Sequence, residues 1–223
     1  MNSGIRGRSG TMTSYKLLYF DYTRGRAEAT RMLFAVANKE LEEVRITKEE
    51  WPKIKPTTPQ GHVPVLEIDG KQLPQSNAIE SYVAREFGLY GSDNWEAAQI
   101  DVVRETTKDL IQPMIMPVLF EQDEEKQAIN SKEYYETTAP PILKILHDLL
   151  VRNNEGTGYF VGNTATLADV IFFVTMEWFE APPYADKGLE NYPMLVGLRD
   201  RLAANELAKH LKERPSLLDS RLK

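Results

Sequence analysis

The chain has 223 residues, with 33 Asp and Glu against 27 Lys and Arg and a net charge of −6. That balance excludes a nucleic-acid surface, which needs clustered cations to face phosphates. With no cysteine, the chain has no disulfide framework, no thiol nucleophile and no thiolate metal site.

Three histidines (His62, His147 and His210) lie too far apart to read as a zinc site. No glycine-rich phosphate loop is present, and no apolar run approaches the roughly 20 residues that a membrane helix needs. We therefore expect a cytoplasmic protein with neither a nucleic-acid nor a membrane partner. Any chemistry would come from hydroxyls, carboxylates or a bound cosubstrate.

Residues 1–13 have no apolar core and read as a flexible leader of processing or cloning origin, ahead of a start at Met12. Residues 15–20 form a short apolar strand. Residues 26–38 place Ala27, Ala29, Leu33, Phe34 and Ala37 on one helical face. Residues 41–46 alternate as a strand, and residues 47–60 read as irregular. Residues 62–68 and 71–73 then form a hairpin turned by Asp69-Gly70, with Pro64 unable to donate to a ladder. A helix follows from Ser76 to about Phe87, and its N-terminus presents unpaired N–H groups suited to a small carboxylate.

The order βαβ then ββα predicts a mixed four-stranded sheet with helices, over residues 14–88. Residues 89–94 are turn-rich and read as a linker to an all-helical second domain, residues 95–223. In that domain residues 96–120 form a long helix kinked near Pro113 and Pro117, and residues 134–151 form another. Thr166 and Asp169 have capping-box spacing ahead of a helix apolar on nearly every side. We read that pair as structural and the helix as the buried centre of the domain. The fold class is thus α+β, a thioredoxin-like domain followed by helices.

Several short stretches, in this order and spacing, resemble the cytosolic glutathione transferases. They are Tyr15-Lys16-Leu17-Leu18-Tyr19-Phe20, Arg24-Gly25-Arg26-Ala27-Glu28, Trp51-Pro52-Lys53-Ile54-Lys55, Val63-Pro64-Val65-Leu66 and Leu73-Pro74-Gln75-Ser76-Asn77-Ala78-Ile79. The resemblance covers residues 15–215 and points to the sigma class. That class includes haematopoietic-type prostaglandin D synthases, invertebrate detoxifying enzymes and cephalopod lens crystallins.

The resemblance implies glutathione as cosubstrate, a small hydrophobic electrophile, a homodimer and no required metal. A free thiol with a pKa of about 8.5–9 is mostly protonated at neutral pH, so the enzyme must stabilise the thiolate. Tyr19 matches the catalytic tyrosine that does so, with Tyr15 and Tyr22 as decoys, and Arg26 (or Arg24) the arginine that supports it. Val63, before Pro64 expected in the cis form, would pair with the cysteinyl backbone. Gln75 and Ser76 would hold the γ-glutamyl carboxylate. Trp51, Lys55 and His62 would lie at the glycyl end, His62 standing where many relatives have lysine. Asp109 would reach the γ-glutamyl amine across a dimer interface. Lys108 stands where the mammalian prostaglandin synthase has an acid, so its divalent-cation effect is not expected here.

Phe20, Met114, Ile115 and Leu119, with Arg26 and the C-terminal segment, are candidates for the electrophile pocket, each also readable as plain core. Conjugation and isomerisation of prostaglandin H2 to the D form both suit such a pocket. A non-catalytic crystallin or a hydrophobic-ligand carrier is the alternative.

Overall fold

The computed structural model describes residues 13–21, 25–180, 188–205 and 207–213. The leader up to residue 12, Tyr22, Arg24 and the last ten residues of the C-terminal segment lie outside the described residues. The first unit runs β1 (Tyr15–Phe20), α1 (Glu28–Val36), β2 (Glu42–Ile46), α2 (Trp51–Ile54), β3 (Val65–Ile68), β4 (Lys71–Pro74) and α3 (Ser76–Glu86). Its sheet has the order β2-β1-β3-β4. Strand β1 pairs parallel with β2 and antiparallel with β3, and β3 pairs antiparallel with β4. A mixed sheet of this kind was expected; the segment read as irregular adds one helical turn, α2, with Pro52 in its first turn.

The sheet is built on alternation. Leu17 and Tyr19 of β1 are buried and share one face. They join Met32, Leu33 and Phe34 of α1 and Ile79 and Val83 of α3 in a single core. Tyr15, Phe34 and Phe87 meet edge to face at 5.0–5.7 Å, tying β1, α1 and the end of α3 together. The hairpin turn has Asp69 at φ 48° and Gly70 at φ 80°, the left-handed pair that a tight two-residue turn requires.

The second unit is helical: α4 (Asn94–Met114), α5 (Glu124–Glu133), α6 (Ala139–Val151), α7 (Leu167–Phe179), α8 (Pro193–Ala204) and α9 (Ala208–Glu213). Asp93 caps α4 by accepting from the N–H groups of Trp95 and Glu96 at 2.8 Å. The expected kink takes the form of a widened π turn over residues 115–119, directly after Pro113. A second π turn, over residues 134–138, joins α5 to α6, so the predicted helix over 134–151 is regular only from Ala139. Helix α7 is the buried centre, with Leu167, Ala168, Val170, Phe172, Met176 and Phe179 at zero exposure.

Asp169 accepts from the Thr166 N–H (2.8 Å), the Thr166 hydroxyl (2.9 Å) and the Phe160 N–H (2.9 Å). These bonds complete the capping box and give Asp169 a structural role. The two units are joined closely. The Leu167 N–H donates to the Leu89 carbonyl at 2.9 Å, the Tyr90 hydroxyl to Asp101 at 2.6 Å, and the Arg85 guanidinium lies 4.0 Å over the Tyr90 ring.

Candidate active site

Tyr19 is the penultimate residue of β1, with only 7% of its surface exposed. The chain leaves the strand and re-enters through a 3₁₀ turn, Gly25–Ala27, ahead of α1. That turn aims the Arg26 backbone N–H at the Tyr19 hydroxyl, which accepts it at 3.0 Å. Accepting a hydrogen bond polarises an O–H group, so the hydroxyl becomes a stronger donor to a neighbouring anion. The turn needs Gly25 twice over: its φ is +45°, and a β-carbon there would stand 2.2 Å from the Tyr19 oxygen.

Behind the ring lies a buried ion pair, Arg31 with Glu28 at 3.1 Å, and Arg31 also bonds Glu43 at 2.8 Å. The Arg31 guanidinium is 5.7 Å from the Tyr19 ring centre. His210 of α9 reaches Glu28 at 3.1 Å. In the sequence Glu28 was quoted only within the stretch Arg24-Gly25-Arg26-Ala27-Glu28, and neither it nor Glu43 was given a role.

The other predicted residues of the sheet domain lie at the end of β1, on and just after α2, ahead of β3 and at the start of α3. Phe20 lies beside Tyr19 at 5.7 Å between ring centres and packs on Trp51 of α2 at 5.2 Å. Lys55 is exposed, with its side chain close to Gly61. His62 is exposed, Val63 half-buried and Pro64 buried, and the Val63–Pro64 peptide is cis, as expected. Gln75 has φ 76°, which is strained for a residue with a side chain. Its amide donates to Gln60 at 2.6 Å. Ser76 is the first residue of α3, so its backbone sits at the positive end of an 11-residue helix.

The remaining candidates are spread along α4 and the π turn after it. Met114 is fully buried, its sulfur 4.0 Å from the Tyr135 hydroxyl. Ile115 and Leu119 are half-buried, and Leu119 packs against the core. Asp109 is exposed on α4.

A residue not anticipated from the sequence is Glu80 on α3. It is 5% exposed and sits among Ile79, Val83 and Ala84. Burial raises its carboxyl to about 7, against the attraction of Arg104 and Arg26. The available signal was an acid inside the apolar stripe of an amphipathic helix.

A sheet domain with a cis-proline strand beside a buried tyrosine hydroxyl, followed by a helical domain, defines the glutathione S-transferase architecture. The description "Glutathione S-transferase, N-terminal domain" matches residues 15–85 and "Glutathione S-transferase, C-terminal domain" matches residues 108–214. The chain belongs to this family. It is 39% identical to the hematopoietic prostaglandin D synthase of Gallus gallus, over 92% of this chain and 98% of that protein. It is 37% identical to S-crystallin SL11 of Nototodarus sloanii, over 91% and 98%. Among solved structures, the Fasciola hepatica sigma class GST superposes with a TM-score of 0.80 at 30% identity, covering 91% of this chain and 97% of that one.

Proposed function

We propose that the chain conjugates the thiolate of glutathione to small hydrophobic electrophiles, with Tyr19 as the catalytic residue. The observation that carries this reading is the buried Tyr19 hydroxyl polarised by the Arg26 N–H at 3.0 Å. The hydroxyl donates to the sulfur, so the anion is favoured over the thiol, and each unit of lowered pKa corresponds to about 1.4 kcal/mol. The thiol proton leaves to solvent. The sulfur then bonds the electrophilic carbon, and the leaving group departs with its electron pair.

Residues 14–88 form the glutathione domain, residues 89–94 the linker, and residues 95–223 supply the electrophile site. Val63 pairs with the cysteinyl backbone as a strand would. Gln75 and Ser76 take the γ-glutamyl carboxylate at the N-terminus of α3. Trp51, Lys55 and His62 form the glycyl end. Phe20, Ile115 and Leu119 line the electrophile site, with Met114 as its packed floor. Asp109 acts across a homodimer interface on the γ-glutamyl amine, and the protein works in the cytoplasm without a metal. Among the described residues no helix is long and apolar enough to cross a membrane.

Purified protein with glutathione and 1-chloro-2,4-dinitrobenzene tests the reading, and conversion of prostaglandin H2 to the D form tests the isomerase branch. The likeness to S-crystallin SL11 keeps one other reading, a folded protein that binds without turnover. Correctly folded protein inactive toward a panel of electrophiles would favour that crystallin or carrier role.

A further inference from the structure

Side chains from both domains meet behind the Tyr19 ring. Glu28 opens α1 and Arg31 follows one turn later, each with only 3% of its side chain exposed. Arg31 Nη1 reaches Glu28 Oε2 at 3.1 Å, and the guanidinium stands 5.7 Å from the centre of the Tyr19 ring. The other carboxylate oxygen of Glu28, Oε1, meets Nε2 of His210 on α9 at 3.1 Å. An ionised carboxylate only accepts, so this contact places a hydrogen on His210 Nε2. Helix α9 packs on α1, and Leu207 just ahead of it is buried in the core, so His210 is brought to Glu28 by an anchored element.

The place of Glu28 in the chain gives the contact its meaning. It lies two residues after Arg26, whose N–H meets the Tyr19 hydroxyl at 3.0 Å. It lies three residues before Arg31, whose guanidinium faces the ring. One short segment, residues 26–31, thus holds Tyr19 at its oxygen and at its ring, and Glu28 anchors that segment from within. As a mere joint between two helices the cluster is a poor choice, because a packed apolar pair of similar volume would serve as well or better.

We propose that His210 is a positioning residue for thiol activation. From the helical domain it holds Glu28, and through Glu28 the turn and the guanidinium that place Tyr19. The proposal rests on the glutathione reading above, with Tyr19 at the sulfur. Without His210 a buried carboxylate oxygen loses this donor, Glu28 shifts, and the Tyr19 hydroxyl no longer points squarely at the sulfur. The residues assigned to the glutathione peptide are not part of this chain of contacts, so turnover suffers and binding does not.

The test compares native protein with His210→Phe, which keeps a ring without a donor, and with His210→Gln, whose amide restores an N–H near the place of Nε2. In His210→Phe, kcat with 1-chloro-2,4-dinitrobenzene should fall about tenfold while the KM for glutathione stays within about twofold. The ionisation midpoint of bound glutathione, followed by the ultraviolet absorbance of the thiolate, should rise by about half a pH unit. His210→Gln should recover most of both. A lower melting temperature with unmoved kcat and midpoint makes the contact a staple and overturns the proposal, as does a loss that His210→Gln fails to restore. A second measurement leaves His210 in place. Its imidazole nitrogen NMR signal, assigned by elimination with His62→Gln and His147→Gln, should differ between glutathione and S-methylglutathione complexes, because coupling between two sites is reciprocal. Identical signals overturn the proposal. Tyr19→Phe separates the two levels: full turnover in that variant overturns the parent reading and this one with it. Turnover that needs Tyr19 but ignores His210→Phe overturns this one alone.

Discussion

The Tyr19 hydroxyl fills the space that a side chain on Gly25 would need, since a β-carbon there would meet the oxygen at 2.2 Å. The contact couples a backbone choice to the chemistry. Gly25→Ala must push the hydroxyl away or open the turn, at a φ of +45° that alanine resists. We expect a loss of kcat/KM of at least about tenfold with the fold intact. Circular dichroism and the conjugation rate, measured side by side, check this; full activity would separate the turn from the tyrosine.

Tyr19→Phe removes the donor and leaves the ring. A hydrogen bond to an anion is worth about 1.5–3 kcal/mol, so kcat/KM should fall by about 10- to 100-fold. Affinity for glutathione by calorimetry should stay within a few-fold, because the substitution leaves Val63, Gln75 and Ser76, the residues proposed to hold the peptide, untouched. A collapse of binding instead would make the residue a binding determinant.

Stability should fall as the pH rises from about 5 to about 8. Burial raises Glu80 from its ordinary 4.5 to about 7 and Asp169 from 3.8 to about 6. In that window the unfolded chain has already released these protons while the folded protein keeps them, so folding is favoured at the acid end. Each site contributes at most about 3 kcal/mol. Chemical denaturation at the two ends of the window measures the difference. Glu80→Gln should flatten the slope, and a stability that climbs across the window would contradict the sign.

The capping box supports the fold rather than the chemistry. Thr166→Ala should cost about 1 kcal/mol. Asp169→Ala leaves the N–H groups of Phe160 and Thr166 without their acceptor, and should cost about 2–4 kcal/mol. Both should lower the melting temperature while the folded fraction keeps its specific activity. An active-site role would show as lost turnover in fully folded protein.

Sedimentation should find particles of twice the 25.4 kDa chain mass. Asp109→Ala should then weaken glutathione binding without changing the thiol ionisation. A monomeric native protein would remove the role assigned to Asp109.

How much was legible in the sequence varied with the range of the signal. Strands, the Asp69-Gly70 turn and the cap at Thr166 are local, and they formed where their residues pointed, except that the strand read over residues 62–68 begins only at Val65, after the cis Val63–Pro64 peptide. Tyr19 could be separated from Tyr15 and Tyr22 only through the resemblance, because its selection depends on Arg26, seven residues on, bending back to its hydroxyl. Residues 115–119 and 134–138 show why helix periodicity overstated regularity: both stretches remain helical in pattern, yet each is a widened turn. One follows Pro113 and contains Pro117, the other ends just before Pro140 and Pro141, and the missing N–H donors there interrupt the regular ladder. Glu80 was missed because its meaning comes from Arg104, which only the folded chain brings near.

The clasp at residues 89–90 has a mechanical consequence. Leu89 holds the first amide of α7 and Tyr90 is gripped by Asp101 and Arg85, so the connection behaves as a splice rather than a tether. Under the proposed function, a joint held this way leaves the choice of electrophile to side chains rather than to domain closure, and a changed substrate range would come from substitutions at positions such as Phe20 and Leu119 with the joint left alone.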